Sequence, residues 1–151
     1  MARVSAYAAR RGVAIAVTRF PGTTRTAQDA AREIGCTVGE IVKSLVFLAD
    51  GDPVVVLCSG ADRVDEAKLT AALRATGIRR ATADEAKAAT GFAIGGVPPF
   101  AHPSGLRVIV DDGLLAFDTV WAAAGLPDAV FPIAPADLVR LASAVVADVS
   151  A

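Results

Sequence analysis

The sequence predicts an α/β fold of the α+β type, a mixed and partly barrel-like β-sheet surrounded by helices. Three observations carry this prediction. Short runs rich in β-branched residues, at Ile41–Leu48, Val54–Cys58 and Leu106–Val110, place apolar side chains on both faces, as strands do when both faces are covered. Helix-like segments lie between such runs without strict strand–helix alternation. Asp50-Gly51-Asp52-Pro53 separates two of the runs by a tight turn, so a β-hairpin sits in the middle of the chain.

Taken in order, Ala2–Arg11 has helix-forming composition, and Val13–Phe20 reads as a β-rich run ended by Pro21-Gly22. Thr26 precedes an Ala-rich segment with Asp29 three residues on, the spacing of a helix cap, and Ala27, Ala30, Ala31 and Ile34 recur at helical spacing until Gly35. After the hairpin a helix is expected from Asp65 to Ala75, stopped by Gly77. A shorter one follows from Thr82, with Glu85 as its capping-box partner, to Gly91. Beyond Leu106–Val110 come a turn at Asp111-Asp112-Gly113, an apolar piece at Leu114–Phe117 and a strand over Val120–Ala124. Phe131-Pro132-Ile133 reads as an edge strand, where proline is tolerated. Pro135 then opens a closing helix through Leu138, Val139, Leu141 and Ala142.

Length and composition exclude several classes. A chain of 151 residues predicts one domain, 1–151, able to bury a core without disulfides or metal. Hydrophobic residues make up 54% of it, yet charges interrupt every apolar run before the roughly 18–20 residues of a membrane span. Arg3, Arg10 and Arg11 stand among small residues without the pattern of a secretory signal, so a soluble, cytoplasmic protein is expected. Cys36 and Cys58 form no CxxC and the chain has one histidine, which excludes a Cys/His zinc site; no metal and no cofactor is expected. The net charge of -1 excludes a strongly basic, non-specific nucleic-acid binder but leaves room for a local patch.

The candidate site is the loop Gly95-Gly96-Val97-Pro98-Pro99-Phe100-Ala101-His102-Pro103. Adjacent glycines let a backbone approach a ligand, and three prolines hold the loop in one shape. Pro98 and Pro99 carry no N–H, so the main-chain donors are those of Gly95, Gly96, Val97, Phe100, Ala101 and His102. A second mark is Lys43. Its alternation partners Leu45 and Phe47 are apolar, so the ammonium must snorkel out, find partners or lie in a pocket. Lys68 and Lys87 fall on predicted amphipathic helices and need no such explanation.

Together, VGEIVKSLVF and GGVPP, with a helix between the hairpin and the loop, resemble the YbaK family, the free-standing relatives of the editing domain inserted in bacterial prolyl-tRNA synthetases. The resemblance runs from about Thr26 to Ala144 through TAQDAAREIG, EIVKSLVFLADGDPVVVL, VDEAKLTAAL, TADEAKAATGFAIGGVPPF and VWAAAGLPDAVFPIAPADLV; the residues before Thr26 match loosely. It implies a trans-editing hydrolase that removes a wrongly attached amino acid from tRNA, with the acceptor end of aminoacyl-tRNA as partner and an aminoacyl-tRNA synthetase as a second one. It also implies that Lys43 and the loop Gly95–Pro99 shape the pocket. Elementary chemistry agrees, because hydrolysing an aminoacyl ester requires stabilising a carbonyl oxygen as it gains charge, and preorganised amides do that. Catalytic roles are therefore expected for Lys43, Gly95 and Gly96, and substrate contacts for Val97, Pro98, Pro99, Phe100, His102 and Phe47. Some editing domains carry a histidine on a later strand where this chain reads Trp121-Ala122-Ala123-Ala124-Gly125.

Other residues fit blander roles. His102 is either a polar pocket group near neutral pH or a residue that shapes the turn before Pro103. Asp111, Asp112 and Asp118 read as turn or cap residues, and Arg79-Arg80 as solvated cations or phosphate contacts. A catalytically silent tRNA- or synthetase-binding module of the same fold is the alternative function. A phosphate-binding protein is disfavoured, since the prolines keep the loop from opening a helix. Whether the chain is a monomer or a homodimer is not written in these patterns.

Overall fold

The computed structural model describes residues 1–20, 26–103 and 106–151. Its strands are β1 Thr18–Arg19, β2 Val42–Ala49, β3 Asp52–Ser59, β4 Ile78–Arg80, β5 Arg107–Asp111, β6 Val120–Ala123, β7 Ala129–Ile133 and β8 Val145–Ala147. Its helices are α1 Ala2–Arg10, α2 Ala27–Ile34, α3 Glu66–Leu73, α4 Ala83–Thr90 and α5 Pro135–Ala142. The strands make two sheets, one in the order β4-β2-β3-β5-β8 and one in the order β1-β7-β6. The larger is mixed: β2 runs antiparallel to β3 and β4, while β3, β5 and β8 are parallel.

The mixed sheet surrounded by helices is as expected, but the sheets do not close into a barrel. An Ile41–Trp121 bridge brings them together at one end of β2. Strand alternation sorts the side chains of the larger sheet. Val42, Val46, Val55, Leu57, Val108 and Val110 join one core with the smaller sheet, α1 and α5, while Phe47, Val54, Val56 and Ile109 pack on Leu69 and Leu73 of α3. Both faces are thus covered, which is why these strands read as unbroken apolar runs. Each fully buried Leu, Val or Phe contributes roughly 1.5–3 kcal/mol by leaving water.

The caps behave as their chemistry requires. Thr26 accepts from the Asp29 amide at 3.1 Å and Gly35 ends α2 in the left-handed region at φ 85. Thr82 and Glu85 form the full reciprocal box at the start of α4. In the hairpin, Ala49 pairs with Asp52, so the loop is Asp50-Gly51, both at positive φ as a two-residue turn needs, and Asp52 and Pro53 already belong to β3.

Four boundaries differ from expectation. Val13–Phe20 forms a ladder only at Thr18–Arg19; Val13, Ile15 and Val17 still turn inward alternately and pack on the core without a partner strand, and the expected stop at Pro21-Gly22 lies outside the described residues. The helix α3 ends at Arg74, which takes the left-handed C-cap conformation at φ 53 in place of Gly77. β7 is the centre of its sheet, not an edge. Pro132 is tolerated there because β1 pairs only with Ala129 and Val130. The short strands β4 and β8, at Ile78–Arg80 and Val145–Ala147, carry too little pattern to announce themselves.

Candidate functional site

β4 pairs with β2 only at Phe47–Ala49, and the Ile41–Trp121 bridge holds the other end, so the edge of β2 between them has no strand hydrogen-bonded to it in a ladder among the described residues. A cavity of about 550 Å³ occupies this gap. Lys43, Ser44 and Leu45 line one side, α2 contributes Thr26, Ala27 and Ala30, and Trp121, Ala123 and Val130 come from the smaller sheet. Gly95, Val97 and Arg80 complete the wall near α4. Its size falls in the range of small-ligand pockets, and its wall is mostly apolar with a few polar groups.

Lys43 is half-buried, and its Nζ donates to the main-chain carbonyl of Asp62. An ammonium carries three protons, so that bond leaves donors to spare. Opposite Lys43 in the ladder stands Cys58, whose thiol burial pushes up to about 11, with the Lys43 charge opposing the rise.

Ser44 is a lining residue that sequence reasoning passed over. The Ala81 amide donates to the Val46 carbonyl at 3.0 Å, and alternation along β2 puts the Ser44 N–H and C=O on that same edge, where no strand pairs them. Its buried Oγ has no hydrogen-bond partner among the described residues. A serine inside an apolar strand run, next to Lys43, was the available signal.

The glycine loop is shaped by close approach. Gly95 takes φ 91, and a Cβ on Gly96 would lie 2.9 Å from the Leu126 Cα, so the loop packs directly on the β6–β7 connection. The Gly96 amide is already used, donating to Ala93 O at 3.0 Å. Gly95 and Val97 both line the cavity, and their amides have no hydrogen-bond partner among the described residues.

The remaining expected site residues are placed around this wall, not in it. Pro98 and Pro99 are buried behind Val97. Phe100 stacks on Tyr7 at a centroid distance of 5.4 Å and meets Phe131 at 5.7 Å, in the core. His102 Nε2 lies 2.6 Å from the Pro98 carbonyl; a carbonyl only accepts, so this nitrogen carries the proton and ties the loop to itself. Burial holds the imidazole below its usual pKa, against the opposing effect of that bond. Phe47 is 2% exposed in the second core and carries the Arg80 guanidinium over its ring.

The acidic residues are structural in their contacts. The buried Asp111 accepts from the amides of Val149, Ser150 and Gly113 at 2.9, 3.1 and 3.1 Å. Asp148, whose carboxylate lies near those of Asp111 and Asp112, pairs with Lys68.

The sequence profile of the aminoacyl-tRNA editing domain matches residues 22–141. The chain belongs to the aminoacyl-tRNA editing domain family. It is 31% identical over 122 residues to the uncharacterized protein YwhH of Bacillus subtilis (strain 168), covering 81% of this chain and 78% of that one. It is 34% identical over 87 residues to the proline–tRNA ligase of Streptococcus thermophilus (strain ATCC BAA-491 / LMD-9), a match covering 58% of this chain but only 14% of the ligase. A crystal structure of a protein provisionally described as a trans-editing enzyme for prolyl tRNA synthetase superposes with a TM-score of 0.93 at 42% identity, covering 99% of this chain and 96% of that one. The editing-domain fold is therefore established for this chain, which is related in sequence to a domain of bacterial proline–tRNA ligases. Among the described residues no helix is long and apolar enough to cross a membrane.

Proposed function

We propose that this editing domain acts in trans as an aminoacyl-tRNA deacylase, hydrolysing the ester that joins a wrongly attached amino acid to the tRNA 3′ end. What supports the reading is that Lys43, Gly95 and Val97 line one cavity, and that the amides of Gly95 and Val97 have no hydrogen-bond partner among the described residues. The ester carbonyl sits against those two amides, which stabilise its oxygen as the tetrahedral intermediate takes on negative charge. Pro98, Pro99 and the His102–Pro98 bond keep the amides oriented before substrate arrives, so reaction demands little reorganisation. Lys43 positions the terminal adenosine. A water attacks, helped by the neighbouring ribose hydroxyl; the bond between the carbonyl carbon and the ribose oxygen breaks, and the amino acid leaves as the free acid. Such a reaction uses no cofactor, takes place in the cytoplasm, and fits one domain covering 1–151.

The test is deacylation of a panel of mischarged tRNAs, beginning with Ala, Ser, Thr and Cys esters. Wild-type protein is expected to hydrolyse at least one of them, and Lys43→Ala to lose most of that activity. Undiminished hydrolysis by the variant would remove Lys43 from the mechanism. The engagement of Lys43 with Asp62 suits a second reading, a silent module that binds tRNA or a synthetase; binding of charged tRNA with every ester left intact is its signature.

A further inference from the structure

Two adjacent arginines on β4 have opposite surroundings. Both terminal nitrogens of Arg79 donate to Glu85, at 2.8 and 2.7 Å, and Glu85 is itself fixed by the capping box of α4. Successive strand residues face opposite ways, so pinning Arg79 on one side directs Arg80 to the other. There Arg80 stands directly across the ladder from Phe47, with its guanidinium carbon 5.5 Å from the ring centroid. The ring is buried and the guanidinium lies over it. Its N–H groups donate to nothing among the described residues and have the fork geometry that matches a phosphate. Arg80 is exposed, lines the cavity, and pairs with no carboxylate among the described residues.

Arg80 shares a sheet face with Lys43. Phe47, its ladder partner, and Lys43 are four residues apart on β2, roughly 13 Å along an extended strand, with Leu45 between them on that face. Both cations also act on the thiol of Cys58, the ladder partner of Lys43. Lys43, Leu45 and Arg80 all line the cavity, so a cation stands at each end of this stretch of its wall with an apolar side chain between, which suits a chain whose phosphates repeat at intervals with a nucleoside lying between them.

We propose that Arg80 holds a backbone phosphate of the single-stranded tRNA 3′ end, on the 5′ side of the nucleoside placed by Lys43. This rests on the deacylase reading of the cavity. Arg80 is a positioning residue: it grips the part of the substrate that does not react.

The experiment compares wild type, Arg80→Gln and Arg79→Gln on an aminoacylated minihelix and on a 3′-aminoacyl-adenosine that has no phosphate. Arg80→Gln is expected to lower kcat/KM on the minihelix about tenfold, mainly through KM, the size of one lost charged hydrogen-bonding contact. Hydrolysis of the aminoacyl-adenosine should not change. Binding of the non-acylated minihelix, followed by fluorescence anisotropy against salt, should lose about 0.7 from the slope of log K on log salt in Arg80→Gln and nothing in Arg79→Gln. Equal losses on both substrates, or an unchanged salt slope, would overturn the phosphate role. Should wild type hydrolyse neither ester, the deacylase reading fails, while the binding slopes still decide for or against Arg80.

Discussion

Gly96 is packed so tightly on Leu126 that a β-carbon on the glycine would meet the Leu126 Cα at 2.9 Å and the Gly125 carbonyl oxygen at 3.0 Å. Both contacts are backbone, which cannot swing aside as a side chain would. Gly96→Ala is therefore expected to push the loop off the β6–β7 connection and cost about 1–3 kcal/mol of stability, read from urea unfolding. Deacylation should fall with it, because Gly95 and Val97 move with the loop. An alanine variant as stable and active as wild type would show that the loop has slack the geometry denies.

His102 gives the fold a pH dependence with a definite sign. Burial holds its pKa below the usual value near ~6.5, so the unfolded chain takes up a proton at a higher pH than the folded one. Well above pH ~6.5 both states are neutral and the residue adds no slope. As pH falls through ~6.5 the unfolded state is favoured, and stability declines until the folded pKa is passed. His102→Gln should shrink the difference between urea unfolding free energies at pH 7.5 and pH 5.5. An identical difference in the variant would mean the imidazole is freely protonated in the loop.

The two thiols should react in a fixed order. Cys58 is fully buried and its thiol is pushed up to about 11, so roughly one in a thousand would be ionised at pH 8 even if reagent reached it. Cys36 is also raised, by burial first and by Glu40 second, but it is half-buried at the end of α2. Alkylation followed by mass spectrometry is expected to label Cys36 in the native protein and Cys58 only in denaturant. Early labelling of Cys58 would reveal opening of the β2–β3 ladder.

Asp111 ties the C-terminal segment to β5 through the Val149 and Ser150 amides. Asp111→Asn keeps the shape but turns one acceptor into a donor, leaving a buried amide facing another donor. The expected loss is roughly 1–3 kcal/mol, with faster hydrogen exchange at Val149 and Ser150. Unchanged exchange there would assign the docking of this segment to side-chain packing alone.

Local chemistry was legible because it is local. Thr26, Gly35, Thr82, Glu85 and Gly91 announced helix ends through bonds that span three or four residues, and Asp50-Gly51 announced the hairpin through a backbone geometry few other pairs adopt. Lys43 stood out as a charge in an apolar strand, and the glycine–proline loop as a rigid one. Each of these signals survives without knowing what lies across from it.

What packs against what was not local, and there only the tertiary structure could decide. That Phe100 belongs to the core with Tyr7 and Phe131, and that the Gly96 amide is spent on Ala93, depends on partners no spacing rule reveals. Arg79 and Arg80 are neighbours of identical chemistry in the sequence; strand alternation gives one a carboxylate and the other a ring at the edge of a cavity. The sequence by itself determined most of the elements, the caps at Thr26, Gly35, Thr82 and Gly91, and the two marks of the family, because these follow from residue type and short-range geometry. The cavity, and the sides of it on which the amides and cations fall, arose only when β4 stopped short on β2 and the smaller sheet met it at Ile41 and Trp121.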